Sequence, residues 1–477
     1  MGRSRLADVS IALAITAVAL AAMLLVLLTT GFAAAQPVDI PATWGGDFWS
    51  RPRLTGDWGG FRDQLGKKGI VLDVDLLAIP QGVMSGGRDE DAGFWGTAEY
   101  TLNVDTGKAG LWPGGFFRVY AMSGFGESVN KDAGAVIPPN FAALVPDLGD
   151  DATVLMNLTF MQFFSPKFGI VVGKLYTLEG DANAFAHGFH SNFLNTALGV
   201  NMTLSLFPFS AYGGSLVILP WEGAIVTVGV VDPSGTPKNN DISEAFDDGV
   251  LISAEARVTI KPFGLVGHQL VGFGWSNKNH LSINQDPVNL ARALAFERFP
   301  RLQDPGPVLR RIIERFFPGL LGSVQPAERK DDTWSVYYNF DQYVWHPGGD
   351  QARGLGVFFR FGASDGNPNP VKYAYNVGVS GNGIVPGRPR DSFGIGWART
   401  EFSNQFVPFL RRTLGLGLDR EDAVELYYNF AITPALNATL DLQIIDPGLK
   451  KMLNDSGTRL ESVDTAIVAG LRVYARF

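Results

Sequence analysis

The stretch that most constrains this chain is its last one, Asp464 to Phe477, reading DTAIVAGLRVYARF. Ile467, Ala469, Leu471, Val473, Ala475 and Phe477 are apolar, and Arg472, Tyr474 and Arg476 stand between them. Successive residues of a strand point to opposite faces, so this is a strand with one apolar and one polar face. A soluble sandwich strand alternates in the same way. Here the alternation continues to the final residue and ends on an aromatic, as expected of a strand that closes a bacterial outer-membrane barrel. Such a barrel requires further strands of the same kind upstream.

They are present along the whole chain. Ile70–Ala78 sets Ile70, Leu72, Val74 and Leu76 against Asp73 and Asp75. Phe94–Val104 sets Phe94, Ala98, Tyr100, Leu102 and Val104 against Trp95, Thr97, Glu99, Thr101 and Asn103. Val250–Ile260, Trp334–Phe340 and Asn437–Ile445 alternate in the same way. Further segments lie near 114–123, 154–163, 168–176, 199–207, 214–219, 223–231, 268–275, 353–363, 371–380, 393–402 and 422–432. Gly, Pro, Asn and Asp turns separate them. The expected fold is all-β, an antiparallel transmembrane β-barrel of about sixteen strands. Periodicity alone does not say which face looks outward, but in lipid the apolar face must.

The amino terminus supports export. Arg3 and Arg5 precede an apolar run from Ile11 to Leu28, and Ala33-Ala34-Ala35 offers a small-residue cleavage site. Residues 1–35 are read as a signal peptide; a permanent membrane anchor is the alternative. Residues 36–69 then form a periplasmic entry segment with a short helix over Phe61–Lys68, Asp57 capping it and Gly69 ending it. Residues 70–477 form the barrel. The net charge of −8 speaks against nucleic acid as a partner, and zero Cys leaves no disulfide framework or thiolate site. At 18% charged and 12% aromatic residues, the composition suits a surface that faces lipid. The loops 124–151 and 284–332 interrupt the strand rhythm. Val308–Leu321 in the second reads as an amphipathic helix, and its Arg310, Arg311 and Arg315 suit phosphate-rich lipid head groups.

The polar face offers carboxylates, amides, guanidiniums and aromatic rings, which suit a solute with many hydroxyls and apolar ring faces. The candidate pore-lining and sugar-binding residues are Trp95, Glu99, Arg118, Tyr120, Glu179, Glu255, Arg257, Tyr337, Asn339, Asp341, Arg360, Asp441 and Gln443; Asn157 and Arg472 read inward as well. For each of them, a structural ion pair or hydrogen bond is the competing role. Tyr176–Leu198 reads as a loop folding inward. His187 and His190 within it are three apart on a Gly-containing loop, a weak metal signal without a third ligand. The match Gly362-Ala363-Ser364-Asp365-Gly366 to a nucleophile elbow lacks the helix that must follow it, since Asn367-Pro368-Asn369-Pro370 comes next. A membrane enzyme is therefore the weaker class, and no cofactor motif is found.

Leu54-Thr55-Gly56-Asp57-Trp58-Gly59-Gly60 followed by Lys68-Gly69-Ile70 resembles the opening of the carbohydrate-selective, OprB-like porin family. Trp334–Trp345, Gly354–Gly362, Pro386–Gly396, Glu425–Phe430 and Asp441–Gly448 resemble later blocks of that family, in the same order. The resemblance implies a sixteen-stranded barrel in the bacterial outer membrane that admits sugars such as glucose by facilitated diffusion. A general diffusion porin for small hydrophilic solutes is the alternative. Partners expected with it are small sugars, outer-membrane lipid and lipopolysaccharide, the barrel-assembly machinery acting on the strand that ends at Phe477, and a homotrimeric assembly.

Overall fold

The computed structural model describes residues 40–146, 151–285, 289, 296, 305–316, 327–406, 418–453 and 460–477. The expected signal peptide, residues 1–35, lies outside them, as do residues 36–39. The described residues form one closed antiparallel barrel of sixteen strands, each paired with its neighbours in sequence and the last with the first. The strands are β1 Ile70–Gly87, β2 Ala92–Asp105, β3 Gly115–Glu127, β4 Ala152–Ser165, β5 Phe168–Tyr176, β6 Ser210–Ile218, β7 Ala224–Val231 and β8 Leu251–Ile260. They continue as β9 Gly267–Ser276, β10 Thr333–Trp345, β11 Gly354–Ser364, β12 Val371–Asn382, β13 Ser392–Phe402, β14 Arg420–Thr433, β15 Leu436–Asp446 and β16 Asp464–Arg476. β16 closes the wall against β1, with Leu76 opposite Ala475 and Ala78 opposite Val473. A closed wall leaves no strand edge unpaired in lipid, where an orphaned backbone group costs several kcal/mol.

Alternation decides the faces as expected. Leu440, Leu442 and Ile444 on β15 are exposed on the outside, while Thr439, Asp441 and Gln443 between them are buried inside. Short turns such as Pro166–Lys167 and Pro434–Ala435 lie at one end, and long loops such as 177–209 and 232–250 at the other; in such barrels these are the periplasmic and extracellular ends.

Two expectations need correction. The alternating stretch 199–207 is not a strand: it holds the end of helix Thr196–Gly199 and a short 3-10 turn, Met202–Leu204. It alternates because Asn201 and Thr203 hydrogen-bond the polar barrel wall, while Met202 and Leu204 look the other way into the lumen. Asp57 does not cap the entry helix α1, Phe61–Lys67. Gly59 and Gly60 both take left-handed φ, 68° and 88°, and set the helix start so that the Asp57 carbonyl, not its side chain, receives the Arg62 N–H at 2.9 Å. The Asp57 side chain instead receives the Gly59 N–H at 3.1 Å. The entry segment is tied to the barrel seam by Arg62, which is buried, pairs with Asp73 at 2.6 Å and donates to the Phe477 carbonyl oxygen at 3.0 Å. The helix expected at Val308–Leu321 is found over Gly306–Phe316, and residues 317–321 of that expectation lie outside the described residues.

Candidate functional site: a half-filled lumen

Residues 177–209, between β5 and β6, fold into the barrel, and their backbone hydrogen bonds must be satisfied there. The wall supplies the partners through side chains that point inward. Asp181 stands in the left-handed region at φ 55° and its carboxylate lies 2.8 Å from Arg360 Nε on β11. Arg360 also donates to the Leu198 and Asp181 carbonyls at 2.8 and 3.1 Å. Asn339 on β10 donates to the Asp181 carbonyl at 3.0 Å, and Asp341 receives the Ala184 N–H at 3.0 Å. Glu425 on β14 receives the Leu194 and Asn195 N–H groups at 2.6 and 2.8 Å. Gln443 on β15 accepts from Asn195 at 3.0 Å, and Arg472 on β16 donates to the Phe189 and Asn192 carbonyls at 2.9 and 2.7 Å. A charged group at one end makes most of these bonds shorter and stronger than neutral ones, and the Arg360–Asp181 pair is charged at both.

Apolar packing completes the attachment. Phe185, Phe193 and Leu198 of the loop bury against Phe358, Tyr427 and Ala398 of the wall. Phe189 and Leu194 join Trp95, Met122, Met156 and Phe141, the last from the neighbouring inward loop between β3 and β4. Close approach needs a bare wall. A Cβ on Gly356 would sit 2.1 Å from the Phe185 ring, and one on Gly362 would sit 2.3 Å from Asn201 Oδ1.

What stays open is an off-centre passage of about 990 Å³ on the β3–β10 side. Arg118 on β3 and Glu179 on the loop bridge at 2.5 Å on its surface, with side chains 35% and 47% exposed. Glu255 and Arg257 on β8 and Tyr337 on β10 line it as well, and Tyr337 donates its hydroxyl to Glu255 at 2.9 Å. Asn157, Tyr176, Asn201, Ser205, Phe207 and Phe209 complete a wall of hydroxyl, amide and ring surface.

The candidate residues thus divide in two. Arg118, Glu179, Glu255, Arg257 and Tyr337 face the passage. Trp95, Glu99, Tyr120, Asn339, Asp341, Arg360, Asp441 and Gln443 are buried behind the inward loops. Trp95 donates to the Ala142 carbonyl at 3.1 Å, Glu99 pairs with His190 at 2.8 Å, and the Tyr120 ring packs on Tyr176. These point inward, as alternation requires, and are covered there. Sequence reasoning missed Glu425, although it lies on the polar face of its strand between Ala423 and Tyr427. It also missed Asn201, Ser205 and Phe207, because their segment was assigned to the wall.

His187 and His190 are set apart by surroundings. Burial, with Arg360 and Arg257 nearby, lowers His187 to about 4. His190 loses hydration too, yet the Glu99 carboxylate outweighs that and raises it. Ser364, in the elbow-like match, ends β11 and donates to the Val371 carbonyl at 2.6 Å, so it serves the turn.

A closed sixteen-stranded barrel with an apolar outer face and an inward loop that narrows a polar lumen defines an outer-membrane porin. Comparisons with known proteins make this specific. The carbohydrate-selective porin family, the OprB family, matches residues 89–477. The chain belongs to that family and resides in the bacterial outer membrane; the family and fold are those of channels. Porin B of Pseudomonas aeruginosa is 23% identical over 453 residues, covering 89% of this chain and 91% of that protein. The structure of Pseudomonas putida OprB at high pH superposes with a TM-score of 0.71 and 22% identity, covering 91% of this chain and 100% of that one. The low-pH structure of the same protein gives 0.51 and 18%, covering 90% and 99%.

Proposed function

We propose that this porin passes neutral sugars, glucose and similar ones, by facilitated diffusion through the passage beside the inward loop, without catalysis or cofactor. The observation that carries the reading is the mixed lining of that passage. Arg118 with Glu179, and Arg257 with Glu255, offer donors and acceptors in balanced charge, and Tyr337, Tyr176 and Phe207 offer ring surface. A sugar hydroxyl both donates and accepts, and its ring faces are apolar, so this lining can replace its hydration shell. A strongly charged solute would find opposite charges cancelled. Removal of residues 1–35 on export, barrel assembly directed by the strand ending at Phe477, contact with lipopolysaccharide and a homotrimeric assembly belong to the same proposal.

Single-channel conductance of the purified protein in a planar bilayer, with neutral sugars titrated in, tests it. Saturable reduction of the current by sugar supports a binding site in the lumen. An open channel that no sugar blocks identifies a general diffusion pore instead, and absence of any channel overturns the transport reading.

A further inference from the structure

The outside of the barrel changes character sharply at the extracellular end of β12–β15. Tyr375, Arg399, Asp422 and Asp446 lie directly opposite one another across these four strands, as do Tyr373, Glu401 and Arg420 across the first three. One step down, the same strands present Val377, Trp397, Val424 and Ile444, and the next step brings Val379, Ile395, Leu426 and Leu442. All except Trp397 are exposed aliphatics. A two-residue step is about 6.6 Å of strand, so an ionic row stands immediately above a wide apolar face. On β8–β10 the corresponding outward residues are Ile252, Trp275 and Trp334, without charge.

The row is an organised one. Arg399 grips both oxygens of Asp422, at 2.8 and 3.1 Å, and its guanidinium lies over the Trp397 ring. Trp397 Nε1 donates to the same carboxylate at 3.0 Å, and Tyr375 bonds Glu401. With Arg399 satisfied there, Arg420 stands 3.7 Å from Asp422 and 56% exposed. At the next strand Lys450 pairs with Asp446 and is 54% exposed.

We propose that this band holds the phosphorylated head group of an outer-leaflet glycolipid, with its acyl chains against the apolar rows below. The proposal deepens the lipopolysaccharide contact proposed above and rests on the outer-membrane placement, so it stands or falls separately from the sugar reading of the lumen. Arg420 and Lys450 meet the phosphates, the first through a planar fork and the second as a point charge. Glu401 and Asp446 accept from sugar hydroxyls. The charge-to-aliphatic boundary sets the depth at which the lipid sits.

The test uses full-length protein, stripped of lipid in mild detergent, with binding read by native mass spectrometry. Probes are a diphosphorylated glucosamine-based lipid, its dephosphorylated form and phosphatidylglycerol. The expected result is saturable binding of the phosphorylated glycolipid, weakened tenfold or more in R420Q/K450Q and clearly above both other lipids. Equal binding of phosphatidylglycerol or of the dephosphorylated form overturns the proposal, as does a doubly substituted protein that binds like the native one. Both substitutions lie outside the lumen, so conductance and sugar block should stay unchanged and report that the barrel is folded. The single variant R420Q, expected to lose severalfold, serves if the double variant does not assemble.

Discussion

Replacing Arg360 by Met should open the channel without opening the barrel. Arg360 is fully buried and holds the inward loop at three points: the Asp181 carboxylate and the carbonyls of Asp181 and Leu198. Removing one member of a buried ion pair costs about 3–5 kcal/mol, because the other is left uncompensated. Protonation of the stranded Asp181, whose carboxyl burial already raises, limits the loss to the lower end of that range. The two carbonyls that lose a donor add roughly 1 kcal/mol each. A shift of about 5 kcal/mol against the docked loop is more than a thousandfold in its equilibrium, since 1.4 kcal/mol is tenfold. The wall itself keeps its ladder, in which Arg360 sits opposite Asn339 and Asn376 through the backbone. R360M should therefore show normal heat-modifiable migration, a larger and noisier single-channel current, and sugar block weakened at least tenfold. D181N/R360M removes the stranded charge as well and should recover much of the block. A native-like current and block in R360M, or a double variant no better than the single one, would refute the assignment of this pair as the loop's anchor.

Other expectations concern the passage and the loop bed. R118Q, on the exposed bridge to Glu179, should change ion selectivity towards cations while moving thermal stability by less than about 0.5 kcal/mol; a stability loss of several kcal/mol would show the bridge to be structural. G362V places side-chain atoms where Asn201 and Thr203 meet the wall, and should cost roughly 1–3 kcal/mol in loop docking, read as weakened sugar block with an intact barrel. His187, lowered to about 4 in the docked loop, is neutral there but charges near its ordinary value when the loop is free. Docking is then fully supported above about pH 6.5 and loses up to about 3 kcal/mol as pH falls through that value towards 4. His190, raised beside Glu99, acts with the opposite sign, its contribution present at low pH and lost as pH rises. Sugar block measured against pH should therefore flatten on the acid side in H187F; an unchanged acid limb would show that His187 does not carry it.

The wall could be read from the sequence because its chemistry repeats every second residue: lipid demands one face, and Leu440-Asp441-Leu442-Gln443-Ile444 satisfies it without reference to anything distant. The same rule misled at 199–207, where a loop segment lies between polar wall and open lumen and so alternates for a different reason. Inward direction was legible for all the wall candidates, but cover was not. Whether Asp441 or Glu255 meets solute depends on where residues 177–209 come to rest, and that is fixed by contacts between residues far apart in sequence, such as Asp181 with Arg360 or Leu194 with Glu425. Nothing in local spacing marks Glu425 as a clamp for two backbone N–H groups.

The attachment of the loop to the wall also bears on how such a channel can diversify. Strand number sets the outer girth, but the width available to a permeant is set by one segment lying on a bed of inward glycines and clamped by a few charged side chains. Insertions, deletions and exchanges within 177–209 can therefore reshape the aperture while the lipid-facing surface and the strand registers stay as they are. Arg360, Glu425 and Arg472 are held in place by two demands at once, since each belongs to the wall and grips the loop. Descendants that exchange one sugar for another should vary first at the passage face, in residues such as Ser205, Phe207 and Phe209, and last at these three.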